Sequence, residues 1–267
     1  MKTILVLTDL SEKAENAATY ALKIAGKINA KIILYHAVEP HLLVDEGQAN
    51  LIENDVEHLN ILANKLNASY TGSTQAPAVE VISKNDDLGH SVKQLVLERE
   101  VDLIIMGSKS DNAIDDFLFG SDTYKVLDEA NCPILFVPNG YKYSEFKTIV
   151  FSDDLKNKYP KAVKFLIDVA QIDNSEILIT HFGEELSYNI EKYLDLYNNE
   201  LHYPKVSIRQ IESENVQDWL TEIITTIKAD LLVMIYHEHK MYGKTIAGSN
   251  SKKMLYQHAV PLLILPD

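Results

Sequence analysis

The segment Met106-Gly107-Ser108-Lys109-Ser110, followed nine residues later by Gly120-Ser121, holds the residue types in this chain best suited to chemistry. Gly107 and Gly120 let backbone come close to a ligand. Gly120-Ser121 opens a helical stretch whose first N–H groups and dipole favour an anion such as phosphate. Lys109 is the one cation in this loop, against Asp111, Asp115 and Asp116. Turns need glycine in any case, so spacing alone marks a candidate phosphate cradle and no more. Other signals are thinner. Gly243-Lys244-Thr245 has the end of a phosphate-binding loop, but Glu238 stands where its first glycine belongs. His237 and His239 alternate without a third ligand, so no metal site is expected. His36 and His181 read as core or rim histidines. No nucleophile, base and orienting group come together, so no catalytic residue is assigned.

Strand ends must position these residues. Ile4 to Leu7 is a continuous apolar run, and Ser11 caps a helix in which Ala14, Ala17, Ala21, Ile24 and Ile28 recur at three- and four-residue spacing. Further strands are predicted at 32–38, 79–82, 103–106 and 134–137, with helices near 45–68, 87–100 and 117–130. Apolar strands alternating with helices mean a parallel sheet buried on both faces, and right-handed crossovers make it doubly wound. Ligands in such sheets bind beyond the carboxyl ends of the strands, where the strand order reverses. That directs attention to Asp9, Val38, Gly107 and the segment up to Gly120.

The pattern occurs twice. Lys2-Thr3-Ile4 lines up with Lys147-Thr148-Ile149, and the same offset pairs Ala17 with Ala162 and His36 with His181. Later in each half a smaller offset pairs Asp102 with Asp230, Gly120-Ser121 with Gly248-Ser249, and Pro133 with Pro261. The second copy is therefore shorter in its middle. The join falls at the polar, turn-prone stretch 139–143, giving domains of 1–140 and 141–267. The expected fold class is α/β: two tandem doubly wound domains, each with a five-stranded parallel sheet flanked by helices.

A net charge of −14 and the lack of a Lys/Arg cluster argue against a nucleic-acid partner. Asp9, Glu12 and Glu15 interrupt any leader-like apolar run, and no stretch reaches membrane-spanning length, so neither a leader nor a membrane contact is expected. A single cysteine, Cys132, excludes an internal disulfide, fits a cytoplasmic location and reads as a buried, inert thiol. Trp219 reads as packing.

The chain resembles the universal stress protein family. The resemblance rests on Thr8-Asp9-Leu10-Ser11 before an Ala-rich helix, the Gly-Ser helix start at Gly120-Ser121, and Cys132-Pro133 before the last strand of the first copy. Nucleotide-binding members carry Gly-x-x-Gly, nine residues, then Gly with Ser or Thr, and two of these three glycines are present here. The resemblance implies that Asp9 contacts adenosine and that Ala37 and Val38 border the base. Gly107, Gly120 and Ser121 would hold ribose and phosphates, with Ser108 and Lys109 assisting. Ser110 replaces the middle glycine, which costs about 1 kcal/mol if that position needs positive φ. The implied ligand is an adenine nucleotide (ATP, ADP or AMP), with Mg only as its companion and a preference for fewer phosphates. In the second copy Ile235 and Glu238 replace Gly107 and Ser110, and no nucleotide is expected there.

The implied role is a stress-response regulatory or binding protein. The alternatives are a nucleotide-free interaction scaffold and a slow ATPase. Against the last, the chain lacks the Ser-Gly-Gly-x-Asp-Ser and His-x-Gly-His segments of nucleotidyl-transferring enzymes of similar fold. Family members commonly pair through their last strands, which implies an internal pseudo-dimer of the two copies, with a homodimer as a further level of assembly.

Overall fold

The computed structural model describes residues 1–38, 48–107, 121–153, 160–182, 194–211, 226–237, 240–241 and 260–266. Their contacts divide the chain into two units, with the break between Tyr143 and Ser144.

In the first unit the opening apolar run forms β1 (Thr3–Leu7), buried along its whole length. Helix α1 (Glu12–Ile28) follows, and its N-cap Ser11 accepts a hydrogen bond from the Ala14 N–H. Ala14, Ala17, Ala21 and Ile24 are buried as their spacing requires, while Ile28 at the helix end is only half-buried. Then come β2 (Lys31–Val38), α2 (Gln48–Ser69), β3 (Val79–Asn85), α3 (Leu88–Glu98), β4 (Leu103–Gly107), α4 (Ser121–Ala130) and β5 (Ile134–Val137). The strands lie in the order β3-β2-β1-β4-β5, all parallel. The steps from β1 to β3 run one way and those through β4 to β5 run back, so right-handed crossovers put α1 and α2 on one face and α3 and α4 on the other. The reversal falls between β1 and β4.

The second unit contains β6 (Thr148–Ser152), α5 (Pro160–Asp173), β7 (Glu176–Phe182), a short π-helical turn at Leu196–Glu200, β8 (Val206–Ile211), β9 (Leu231–His237), β10 (Lys240–Met241) and β11 (Leu262–Pro266). Its parallel strands lie in the order β8-β7-β6-β9-β11, the same winding as the first unit. The two-residue β10 runs antiparallel on β9.

The repeat extends to single backbone angles. Asn29 and Asn174 end equivalent helices with φ of 54° and 57°, and Glu100 and Lys228, one turn before equivalent strands, have φ of 50° and 55°. It extends also to a carboxylate that ties down the first strand of each unit. Asp102 Oδ2 accepts the N–H groups of Lys2 (2.6 Å) and Thr3 (3.0 Å), and Asp230 Oδ2 accepts those of Lys147 (2.8 Å) and Thr148 (2.9 Å). Removing either carboxylate leaves two strand-edge donors to solvent or to nothing. Asp102→Ala and Asp230→Ala are each expected to cost about 1–2 kcal/mol, measured as the shift in urea midpoint at unchanged m.

The stretch after β5 is polar but held. Asn16 Nδ2 donates to Pro138 O (3.2 Å) and Tyr141 O (3.3 Å). The ring of Tyr20 lies 6.3 Å from that of Tyr141 and 5.2 Å from that of Tyr143, with Lys27 Nζ 5.3 Å above the latter. Up to Tyr143 the join is therefore packed onto α1.

Candidate functional site

The carboxyl end of β1 turns sharply into α1, and short side chains hold the turn. The Leu10 N–H donates to Thr8 Oγ1 (3.0 Å). Asp9 Oδ1 accepts from the Ser11 N–H (3.1 Å) and from Ser11 Oγ (2.5 Å), and Ser11 Oγ in turn accepts the Ala14 N–H (3.3 Å). These bonds keep Leu10 at φ 62°, a left-handed conformation costing a leucine about 1 kcal/mol. The strained turn sets the Asp9 carboxylate at the exposed end of the central strand. Composition showed the Thr-Asp-x-Ser run but not the positive φ, which falls on a residue type that seldom adopts it.

Register brings the other predicted residues to the same end. Leu7 pairs with Tyr35 on one side and with Met106 on the other, so Asp9 lies beyond β1 between the ends of β2 and β4. Ala37 and Val38 close β2, and Gly107 closes β4. Ala37 and Gly107 are half-buried and present almost no side chain at the switch point. Ser121 heads α4, ten residues long. Ser108, Lys109, Ser110 and Gly120 lie outside the described residues.

The second unit differs at the equivalent place. Ile235, standing where Gly107 does, is buried at 8% exposure. The chain beyond it stays extended to His237 and pairs back through β10, with Tyr236 opposite Met241 and His237 opposite Lys240. An extended hairpin offers ladder bonds, not a curl of free N–H groups for a phosphate. Asp153, standing where Thr8 does, is buried at 6% exposure, and Tyr197 is fully buried nearby. Burial, and secondarily the charge of Asp153, hold the Tyr197 phenol well above the ordinary tyrosine range. Glu238, His239, Gly243 to Thr245, Gly248-Ser249 and Trp219 lie outside the described residues.

Both histidines of the repeat are held alike. The His36 Nδ1–H donates to Thr8 O (2.8 Å) and the His181 Nδ1–H to Asp153 O (3.2 Å). Among the described residues no three His, Cys, Asp or Glu side chains converge, and no helix is long and apolar enough to cross a membrane.

The universal stress protein family model matches residues 1–138, just over half of the chain. The chain belongs to the universal stress protein family. A universal stress protein of Thermus aquaticus is 29% identical to it over 136 residues, covering 51% of this chain and 98% of that protein. YxiE of Bacillus subtilis, another universal stress protein, is 27% identical over 146 residues, covering 50% of this chain and 97% of its own. The solved structure of a universal stress protein from Archaeoglobus fulgidus covers 99% of this chain and 96% of its own, with a TM-score of 0.72 at 20% identity, a likeness of fold. This universal stress protein is a tandem one, its second unit repeating the winding of the first.

Proposed function

We propose that the first unit binds an adenine nucleotide (ATP, ADP or AMP) in the crevice at the carboxyl ends of β1, β2 and β4, and that the protein acts by binding rather than by catalysis, as a cytoplasmic stress-response regulator. The observation that carries this reading is the strained Thr8–Ser11 turn. It sets a carboxylate at the switch point between Ala37 and Gly107, two residues with almost no side chain to obstruct a ligand. Family membership supports the roles assigned to Asp9, Ala37, Val38, Gly107 and Ser121. By composition, Lys109 faces three nearby aspartates in sequence, which favours AMP or ADP over ATP. The second unit, with Ile235 and the β9–β10 hairpin in place of a glycine loop, serves as a nucleotide-free partner domain.

Asp9→Asn separates the ligand role from the structural one. Asparagine keeps Oδ1 as acceptor for the Ser11 N–H and hydroxyl, while the negative charge is lost. Binding of AMP, ADP and ATP, followed by titration calorimetry, is expected to weaken about tenfold or more, with the melting midpoint little changed. Heat extraction of the purified protein should also release a nucleotide detectable by chromatography. An extract without nucleotide, together with no calorimetric response to any of the three, would overturn the proposal.

A further inference from the structure

The carboxyl ends of β2 and β3 carry a group of side chains for which the nucleotide site has no use. His36 on β2 pairs in register with Ser83 on β3, and Val38 pairs with Asn85. Strand alternation puts His36, Ser83 and Asn85 on one face of the sheet. That face is the one covered by α2, because Asp55 of α2 brings its Oδ2 to 3.7 Å from His36 Nε2. Ser83 Oγ and Asn85 Oδ1 are both buried without a hydrogen-bond partner.

The His36 ring is fixed by its other nitrogen. Thr8 O can only accept, so Nδ1 carries a proton, and the ring directs Nε2 toward the Asp55 carboxylate. Nε2 and the carboxylate face each other on the sheet face that also carries the unpartnered Asn85 Oδ1 and Ser83 Oγ. Such a pair is completed by an electropositive guest, either a proton held between imidazole and carboxylate or a metal ion that displaces it. An imidazole whose far N–H is anchored on a backbone carbonyl is the usual support behind a metal-ligating histidine. At 3.7 Å, Nε2 and Oδ2 are close enough for one ion about 2.0–2.2 Å from each to bridge them. One imidazole nitrogen with neighbouring carboxylate, amide and hydroxyl oxygens suits Zn²⁺ or Mn²⁺ better than a thiolate-seeking ion. Side-chain exposures of 18% for His36 and 19% for Asp55 leave the pair reachable from solvent.

We propose that His36 and Asp55, completed by Asn85 and Ser83, form a site for a divalent transition-metal cation on the α2 face of the first unit. It uses none of the residues assigned to the nucleotide. With two strong donors where structural zinc sites have three or four, its affinity is modest and answers to added metal. The second unit contains its own control. His181 is anchored through Nδ1 in the same way, but Gln210 is its register partner, and among the described residues no carboxylate pairs with it.

The test is calorimetric titration of the metal-stripped full chain with Zn²⁺ and, separately, Mn²⁺. A saturable site is expected whose affinity falls at least tenfold in both His36→Ala and Asp55→Asn and is unchanged in His181→Ala. Asp55→Asn, at a partly exposed helix position, guards against misfolding, and circular dichroism checks it. At ten times its Kd the metal should also raise the wild-type melting midpoint by about 2–4 °C, a shift that falls to about 1 °C or less in Asp55→Asn at the same concentration. The site is refuted by the absence of saturable binding, by equal affinity in Asp55→Asn, or by loss of binding in His181→Ala.

Discussion

Iodoacetamide at pH 8 is expected to leave Cys132 of the native protein unmodified while labelling it at once in denaturant. The thiol is 6% exposed and donates to Val101 O at 3.6 Å. Burial first, and the charge of Asp102 second, push its pKa up to about 12. An ordinary thiol near ~8.5 is about one quarter thiolate at pH 8, whereas one near 12 is ionised in roughly one molecule in ten thousand, so the native rate should fall by a thousandfold or more. The sign for stability follows from the same shift. The unfolded thiol loses its proton first, so the contribution is whole below about pH 8.5 and is lost as pH rises toward 12. Labelling of the native chain at the rate of a free thiol would show that the loop before β5 opens easily and that Cys132 is a reactive thiol. The expected result removes thiol chemistry from the functions this protein can perform.

Much of the fold was readable because the signals were local and repeated. The apolar run before Asp9, the Ala spacing of α1 and the Ser11 cap each fix one element, and the right-handed crossover rule orders them. The two alignment offsets recur in the structure as the Asn29/Asn174 and Glu100/Lys228 backbone angles and the Asp102/Asp230 ties. What escaped reading depends on pairing across the sheet. The apolar pattern ends β3 at Ile82, whereas the strand runs on through Ser83, Lys84 and Asn85, because the end of β2 offers those polar residues a ladder. The end of helix α2 and both ends of helix α3 differ from their predicted bounds by one or two residues, the usual uncertainty where caps decide. The grouping of Asp9, Ala37, Val38 and Gly107 was legible because all four close or follow strands. The meeting of His36 with Asp55 was not, since register and helix rotation decide it and neither has a composition signal.

The largest thermodynamic effect in the first unit is expected from Leu22→Ala. Leu22 is fully buried in α1, about 16 Å along the helix from Ser11 and so remote from the crevice. Truncating a buried leucine removes transfer free energy and leaves a cavity, together about 3–5 kcal/mol. A two-unit chain need not unfold in one step, so the effect is best read from hydrogen exchange in peptides covering β1 and β2, which report the first unit alone. Their global protection should fall by that amount. The same experiment interrogates the nucleotide site, because a ligand that binds only the folded unit stabilises it by mass action. At one hundred times Kd, AMP or ADP should restore about 2.7 kcal/mol of the lost protection, and Asp9→Asn placed in the same background should cut that recovery to about 1.4 kcal/mol or less at the same concentration. Protection that nucleotide does not change in the weakened variant would mean that the crevice between Asp9 and Gly107 holds no adenine nucleotide, whatever the family resemblance implies.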